Sequence, residues 1–190
     1  MTFADLISRR SLLILLASLP LFSLSALEAG ENDSKQKTIF MRSGWQTVNI
    51  GDIGHTPGTL RYLEEYLPDV KVNLWLHRTT DEVTAMLKQR FPKVNIVQGK
   101  MNARGKANNP EMQKAFDESD LFLYNSGMHF NQFWPPPIYI IEACTATNKP
   151  LVLYGQSFDG FAPEDEAKMS ELLSRAVAIY TRDVESFYYL

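Results

Sequence analysis

Short apolar runs recur along the chain after residue 37 and are separated by longer stretches with helical spacing. The runs alternate or cluster their apolar residues over four to eight positions, as buried strands do. Their sequences are KTIFMRSGW, KVNLWL, VNIVQ, DLFLYNSG, PLVLYGQSFDG and AVAIYTRD. This pattern predicts six strands in a single domain.

The stretches between these runs carry helix-start residues followed by apolar stripes. Thr56 can cap the first helix, because Pro57 suits its first turn and Leu60, Leu63 and Leu67 follow on one face. The other helix starts are expected at Thr79 with Glu82 in capping-box spacing, at Asn109-Pro110, at Pro137 and in PEDEAKMSELLSRA. Strands that alternate with helices imply an α/β fold with a doubly wound, mostly parallel Rossmann-like sheet and helices on both faces.

Doubly wound sheets bind ligands beyond the carboxyl ends of their strands. The loops expected at that edge are 43–58, 77–80, 99–109, 125–136, 155–162 and 181–184. All of these except 77–80 and 99–109 contain candidate functional residues.

The first 25 residues differ from the rest. Arg9 and Arg10 precede about 14 mostly apolar residues, and Ser23 and Ser25 are small residues suited to cleavage after Ser25. The pattern predicts an export signal at 1–25, a linker at 26–37 and the folded domain at 38–190. SRRSLL also resembles a twin-arginine signal. An exported protein would lie in the periplasm or cell envelope and meet the membrane only during export. An uncleaved anchor or a buried N-terminal helix is the alternative, and without export the protein would be cytoplasmic.

Composition narrows the possible functions. The net charge is -3, and no run of Lys and Arg exceeds two residues, so nucleic-acid binding is not expected. The single cysteine excludes an intramolecular disulfide and a thiolate metal site. We expect neither a metal nor a cofactor.

The segment NIGDIGHTPG places three glycines ahead of a helix, at Gly51, Gly54 and Gly58. A dinucleotide site needs the spacing G-x-G-x-x-G, which is absent, and no Gly-Lys-Ser/Thr phosphate loop occurs. Asn49, Asp52 and nearby polar residues would suit an anion or a sugar at the helix N-terminus. Alternatively, these residues only shape the turn.

Five stretches in order resemble the polysaccharide pyruvyl transferase family. They are NIGDIGHTPGTLRYLEEYLPDVKVNLW, RFPKVNIVQG, AFDESDLFLYNSG, NKPLVLYGQSF and AIYTRDVESFYYL. That family transfers a pyruvyl group from phosphoenolpyruvate to sugar hydroxyls and forms a ketal. It has two Rossmann-like halves, as in glycosyltransferases of the B type, and the active site lies between them. The resemblance covers only the first half, which implies a chain truncated before a second lobe and inactive alone.

The resemblance implies site residues at the matching positions. Asp52 and Arg182 are expected to be catalytic, since a carboxylate can accept a hydroxyl proton and an arginine can bind a carboxylate or phosphate. The expected substrate-binding residues are Asn49, Gly51, His55, Gly127, His129, Trp134, Gln156 and Asp183. Arg182 could instead pair with Asp183 or Glu185, and Phe133 with Trp134 could be a loop anchor instead of a sugar platform.

Two other functions stay open from the sequence. Phosphoenolpyruvate is a cytoplasmic metabolite, so an exported relative could be a non-catalytic glycan-binding protein. The shared architecture also allows a nucleotide-sugar glycosyltransferase. At the end of the chain, Phe187 to Leu190 form an apolar cluster that is either uncovered or packed back on the sheet.

Overall fold

The computed structural model describes residues 36–44, 49–77, 79–131 and 138–190. The predicted export signal and Trp134 lie outside the described residues. None of the described helices is long and apolar enough to cross a membrane.

Six parallel strands form one sheet, in the order β3-β2-β1-β4-β5-β6. The strands are β1 (Thr38–Gly44), β2 (Lys71–His77), β3 (Asn95–Val97), β4 (Leu121–Asn131), β5 (Leu151–Asp159) and β6 (Ala178–Thr181). The predicted α/β Rossmann-like sheet is therefore confirmed. The strand order reverses between β1 and β4, which are neighbours in the sheet.

Helices cover both faces of this sheet. Among the described residues they are α1 (Ile50–Tyr66), α2 (Asp81–Arg90), α3 (Pro110–Asp117), α4 (Ile138–Ala146), α5 (Pro163–Leu173) and α6 (Val184–Tyr189). One core cluster packs α1 and α2 against the sheet through residues such as Leu60 and Leu87. The other packs α3, α4 and α5 around Phe40, Phe116 and Phe122. Alternate residues of each strand face the two clusters, as the pleat requires.

Helix α1 begins seven residues earlier than predicted, because Asn49 and not Thr56 is its N-cap. Its N-cap is Asn49, whose side-chain oxygen accepts from the Gly51 amide at 2.9 Å, and Pro57 lies inside the helix. Thr56 does not cap because its hydroxyl bonds to Ser43 Oγ at 2.6 Å and to the Gly44 carbonyl at 3.3 Å. Much of the expected loop 43–58 is therefore helix.

Helix α2 begins one position later than predicted. Thr80 is the N-cap and accepts from the Val83 amide at 3.4 Å. The Thr79 hydroxyl instead bonds to the Thr80 carbonyl at 3.3 Å. The predicted capping by Thr79 was thus wrong.

Strands β4 and β5 continue past the glycines where loops were expected to begin at 125 and 155. They pair as far as Asn131 with Asp159, with a register shift between Gly127 and Phe130. The pairing of β5 with β6 shifts register between Tyr154 and Gln156. Gly155 has φ +64°, which a side chain would disfavour. Bulges of this kind keep the ladder going through an irregular segment.

Helix α6 leaves part of its apolar surface exposed. Phe187 and Tyr188 are 67% and 81% exposed. Tyr189 contacts the Phe161 ring and accepts a hydrogen bond from the Phe161 amide at 3.1 Å. The terminal aromatics are therefore only partly packed against the domain.

Cys144 lies on α4 within the core and is 2% exposed. Burial raises the pKa of its thiol to about 12. No group of three or more His, Cys, Asp or Glu side chains that could hold a metal occurs in the described part of the chain.

Candidate functional site

The candidate site lies at the carboxyl edge of the sheet, where the order reverses between β1 and β4. The chain leaves β1 for α1 on one face and leaves β4 for α4 on the other, as the two core clusters show. Connections that diverge in this way open a crevice at the strand ends, and doubly wound folds bind ligands there.

The start of α1 brings Asn49, Gly51, Asp52 and His55 to this edge. Asn49 caps the helix through the Gly51 amide, and a Cβ added at position 51 would lie 3.3 Å from the Asn49 oxygen. The Asn-x-Gly spacing therefore makes a close cap. One turn later, Asp52 Oδ1 lies 3.7 Å from His55 Nδ1, and the two side chains are 28% and 23% exposed.

A buried asparagine fixes α1 over the sheet. Asn125 on β4 is 1% exposed, and its Nδ2 donates to Ser43 Oγ at 3.0 Å and to the His55 carbonyl at 3.2 Å. Its Oδ1 accepts from Thr59 Oγ1 at 2.8 Å. Because this network holds the backbone of His55, it also positions the Asp52–His55 pair.

Arg182 follows β6 and is held by a serine of β5. Its Nε donates to Ser157 Oγ at 2.5 Å, and Ser157 Oγ donates to Asp183 Oδ2 at 2.5 Å. Asp183 itself lies 3.9 Å from Arg182 Nε. Neither terminal guanidinium nitrogen of Arg182 donates to a residue in the described ranges, and the side chain is 34% exposed. Ser157 therefore orients the guanidinium, and within the described ranges its two terminal nitrogens are left for a ligand.

Asp183 has a structural role in this arrangement. Its Oδ1 accepts from the Ser186 amide at 2.7 Å and so caps α6. Hydrogen bonds from Ser157 and Ser186 lower the pKa of its carboxyl. The expected substrate-binding residue thus uses both oxygens within the protein.

A second cluster links Arg42 of β1 to His129 through Tyr124 of β4. Arg42 Nη1 donates to the Tyr124 phenol at 3.1 Å, and the phenol oxygen lies 3.2 Å from His129 Nδ1. The guanidinium carbon lies 5.0 Å from the Trp75 ring and 5.2 Å from the Tyr124 ring. Burial raises the pKa of Tyr124 to about 12, although the Arg42 charge acts against it. The phenol therefore keeps its proton and can donate it to His129.

Electrostatic coupling connects these groups. Burial lowers the pKa of His55, the Arg182 charge lowers it further, and Asp52 opposes both. Partial withdrawal from solvent lowers the pKa of His129 as well, with Arg42 and His55 acting in the same direction and Asp52 against. The charge of Asp52 therefore acts on the pKa of both histidines, and the charge of Arg182 acts on that of His55.

Gly127 and Gln156 shape the strand ends below His129. A Cβ at position 127 would lie 2.4 Å from His129 Nδ1, so the ring sits directly against the glycine. Gln156 is fully buried, and its Nε2 donates to the carbonyls of Asn125 at 2.9 Å and Tyr124 at 3.3 Å. Its Oε1 has no hydrogen-bond partner among the described residues. The amide of Gln156 therefore joins β4 and β5 at the bulge.

A cavity of about 260 Å³ lies elsewhere, beside Cys144, Lys149 and Arg175. It borders Pro150 and Leu151, at the amino end of β5. Because the strands are parallel, this cavity is at the opposite edge of the sheet from the candidate site.

Sequence reasoning missed four residues of this edge: Arg42, Tyr124, Asn125 and Ser157. A usable signal existed for Arg42, because it interrupts the apolar strand TIFMRSG. The others carried no such signal, since their roles depend on partners 25 to 82 residues away in the chain.

Comparisons with known proteins cover the segments that carry the candidate site. A family model for polysaccharide pyruvyl transferase matches residues 49–190, about three quarters of the 190-residue chain. A comparison with curated proteins found no match. Among solved structures, the chain is similar to the cypemycin decarboxylase CypD, with a TM-score of 0.43 and 16% identity over 82% of this chain and 88% of that chain. The family match begins at the N-cap of α1 and includes Arg182.

Proposed function

The chain belongs to the polysaccharide pyruvyl transferase family, and on that premise we propose that the protein transfers a pyruvyl group from phosphoenolpyruvate to hydroxyls of a polysaccharide or other sugar acceptor. One observation carries the proposal to particular residues. Asp52 lies 3.7 Å from His55, whose pKa responds to Arg182 across the carboxyl edge of the sheet. We infer from this coupling that the Asp52 carboxylate and the Arg182 guanidinium serve the same site.

The reaction joins one enol ester to two sugar hydroxyls. The methylene carbon of phosphoenolpyruvate gains a proton, and the oxygen of the first hydroxyl bonds to the central carbon. The bond from that carbon to the phosphate oxygen then breaks, and the second hydroxyl adds to complete the ketal. Of the two hydroxyl protons released, one balances the new methyl group and the other leaves with inorganic phosphate.

Asp52 is the group we assign to proton removal from the sugar. Its side chain is partly exposed, so a hydroxyl can reach it, and it sits in the first turn of α1. His55 lies beside it, and its lowered pKa keeps the imidazole neutral near neutral pH. The pair can therefore accept a proton as a hydroxyl adds to the central carbon.

Arg182 is the group we assign to binding the donor's negative charge. Ser157 fixes Nε, which leaves the two terminal nitrogens for a bidentate contact with carboxylate or phosphate. Because negative charge leaves with the phosphate, a fixed cation there also favours the transition state.

The test uses protein expressed from the complete reading frame, with phosphoenolpyruvate and a panel of polysaccharide acceptors. Formation of the ketal is followed by the NMR signal of its methyl group, and phosphate release is measured in parallel. We expect D52A and R182A to lose activity by at least about 100-fold. The melting temperature should change by less than about 4 °C, because both side chains are partly exposed.

Matched controls are D81A, which removes another helix first-turn aspartate, and R61A, which removes an exposed arginine. Both controls should keep wild-type activity. Full activity in D52A and R182A would contradict the assignment of the site, and the absence of ketal with every acceptor would contradict the reaction.

A further inference from the structure

Arg42 is a buried cation without an acidic partner in the described ranges. It is 7% exposed, takes part in no ion pair there, and uses Nη1 to donate to Tyr124. Its Nε is buried and has no acceptor among the described residues. Burying a charge in this way is costly unless something compensates it.

Among the described residues, Arg42 contacts aromatic rings and forms no ion pair with a carboxylate. In the sheet it pairs with Trp75 on β2 and with Tyr124 on β4. The short undescribed segments 45–48, 78 and 132–137 contain neither Asp nor Glu. The two rings hold the guanidinium by cation–π contacts, which orient its donors without neutralising the charge.

The position of Arg42 suits a ligand. It lies near the carboxyl end of β1, beside β4, where the strand order reverses. A hydrogen-bonded path through the Tyr124 phenol leads from it to the exposed His129. With Nδ1 accepting from the phenol, a neutral His129 presents its Nε2–H as a second donor.

We propose that Arg42 and His129 form an anion-binding site for a carboxylate or phosphate group at the β1–β4 edge. The inference deepens the proposed function and rests on it for the identity of the ligand, since phosphoenolpyruvate carries both groups. The proposal gives the two arginines different roles, with Arg42 and Arg182 each holding one end of the donor.

The experiment measures binding of inorganic phosphate, pyruvate and phosphoenolpyruvate by calorimetry at constant ionic strength. Wild type is compared with R42M, which keeps an unbranched side chain between the two rings and removes the charge. We expect R42M to bind phosphoenolpyruvate at least about tenfold more weakly, the loss of one charge-assisted contact. Its ligand-free melting temperature should stay within about 4 °C of wild type, because a charge without a carboxylate partner is removed.

R61M is the matched control, because Arg61 is 59% exposed on α1 and pairs with Glu64 and Glu65. It should bind all three anions as wild type does. Where R42M does not fold, R42Q carries the same test, since its amide can still donate to Tyr124. H129A should weaken the same anion that R42M weakens.

The single-group anions identify what Arg42 contacts. Loss of phosphate binding alone assigns Arg42 to the phosphate end, and loss of pyruvate binding alone assigns it to the carboxylate end. Either result supports the site. Wild-type affinity for all three anions in the arginine variant, equal losses in R61M, or no anion binding by wild type would overturn it.

The outcomes also separate this site from the proposed reaction. If anion binding depends on Arg42 but no ketal forms, the anion site is supported and the proposed reaction is contradicted. If the ketal forms and R42M has an unchanged kcat/KM for phosphoenolpyruvate, the reaction is supported and the anion site is contradicted.

Discussion

At the residue scale, two histidines of the candidate site have a pKa below the usual 6.5 because of burial and nearby cations. The unfolded chain therefore binds protons more readily than the folded one in the window between the folded pKa values and 6.5. Stability rises with pH wherever the unfolded state holds more protons, so it should fall as pH decreases from about 7.5 to about 5.5.

Urea unfolding across this range measures the dependence. We expect the H55Q/H129Q double variant to show a shallower loss of stability than wild type. The lowered pKa of the Asp183 carboxyl acts only at lower pH, around and below its usual 3.8, and does not interfere. Identical slopes for the two proteins would show that the folded structure lowers the pKa of neither histidine.

Gly127 gives a second prediction at this scale. In G127A the new methyl group would meet the His129 ring at 2.4 Å, and the ring must move away from Tyr124. We expect transfer activity to fall about tenfold while stability changes by less than about 1 kcal/mol, because the His129 side chain lies at an exposed edge. Kinetics and urea unfolding measure the two effects.

The control for G127A is G58A, since a Cβ at Gly58 in α1 meets nothing within 4 Å. Alanine in a helix interior should stabilise by about 0.5–1 kcal/mol and leave activity unchanged. If the G127A/H129A double variant loses further activity relative to H129A, the effect of G127A does not act through the histidine.

The sequence revealed site residues whose interactions are local in the chain and missed those whose partners are distant. Asn49 and Asp52 belong to a short turn-and-helix segment, so spacing and resemblance both pointed to them. Arg42 carried a signal, since it interrupts an apolar strand, but its contacts with Trp75 and Tyr124 arise only from strand pairing. The hydrogen bond between Ser157 and Asp183 could not be read from the sequence either, because Ser157 comes from another strand.

At the scale of elements, the attachment of α1 to β4 depends on Asn125. In N125A, Ser43 Oγ, Thr59 Oγ1 and the His55 carbonyl lose their bonds to the amide. We expect a loss of about 2–4 kcal/mol in the free energy of unfolding, since buried polar groups left without partners are costly. Urea unfolding measures it.

N95A is the matched control, because the hydrogen bond from the Asn95 side-chain amide to Asn73 is exposed to solvent. It should cost less than about 0.5 kcal/mol. Equal losses in N125A and N95A would mean that the buried network does not secure α1.

Element boundaries were harder to predict than element types. Thr56 has the sequence of an N-cap, yet its hydroxyl bonds to Ser43 and Gly44 on β1. Glycine in NSG and YGQ suggested loops, yet the ladder between β4 and β5 continues through both. In each case a tertiary contact decided between two local possibilities.

At the scale of the whole molecule, the alternation of strands and helices predicted six mostly parallel strands, because parallel neighbours need a long crossover connection, which is usually a helix. It did not predict the strand order, with β1 and β4 adjacent at the centre. That order determines the site, since it places the ends of two strands with divergent connections side by side.

Export is a property of the whole chain, and we propose that residues 1–25 direct it. In R9K/R10K the paired arginines are replaced while the charge is kept. If the signal is of the twin-arginine type, the protein should accumulate in the cytoplasm, as measured by fractionation with a carboxyl-terminal tag. Unchanged envelope localisation would exclude this route, and cytoplasmic wild-type protein would exclude export.

The single cysteine, Cys144, can report how often the core of the protein opens. Cys144 is held in the core and its thiol resists ionisation, so we expect a thiol-specific reagent to modify it chiefly when α4 separates from the sheet. Since no other cysteine competes, the rate of mass gain measures those openings when the reagent reacts faster than α4 recloses. A ligand bound at the carboxyl edge of the sheet would stabilise the folded protein and so slow the labelling of Cys144 without contacting it.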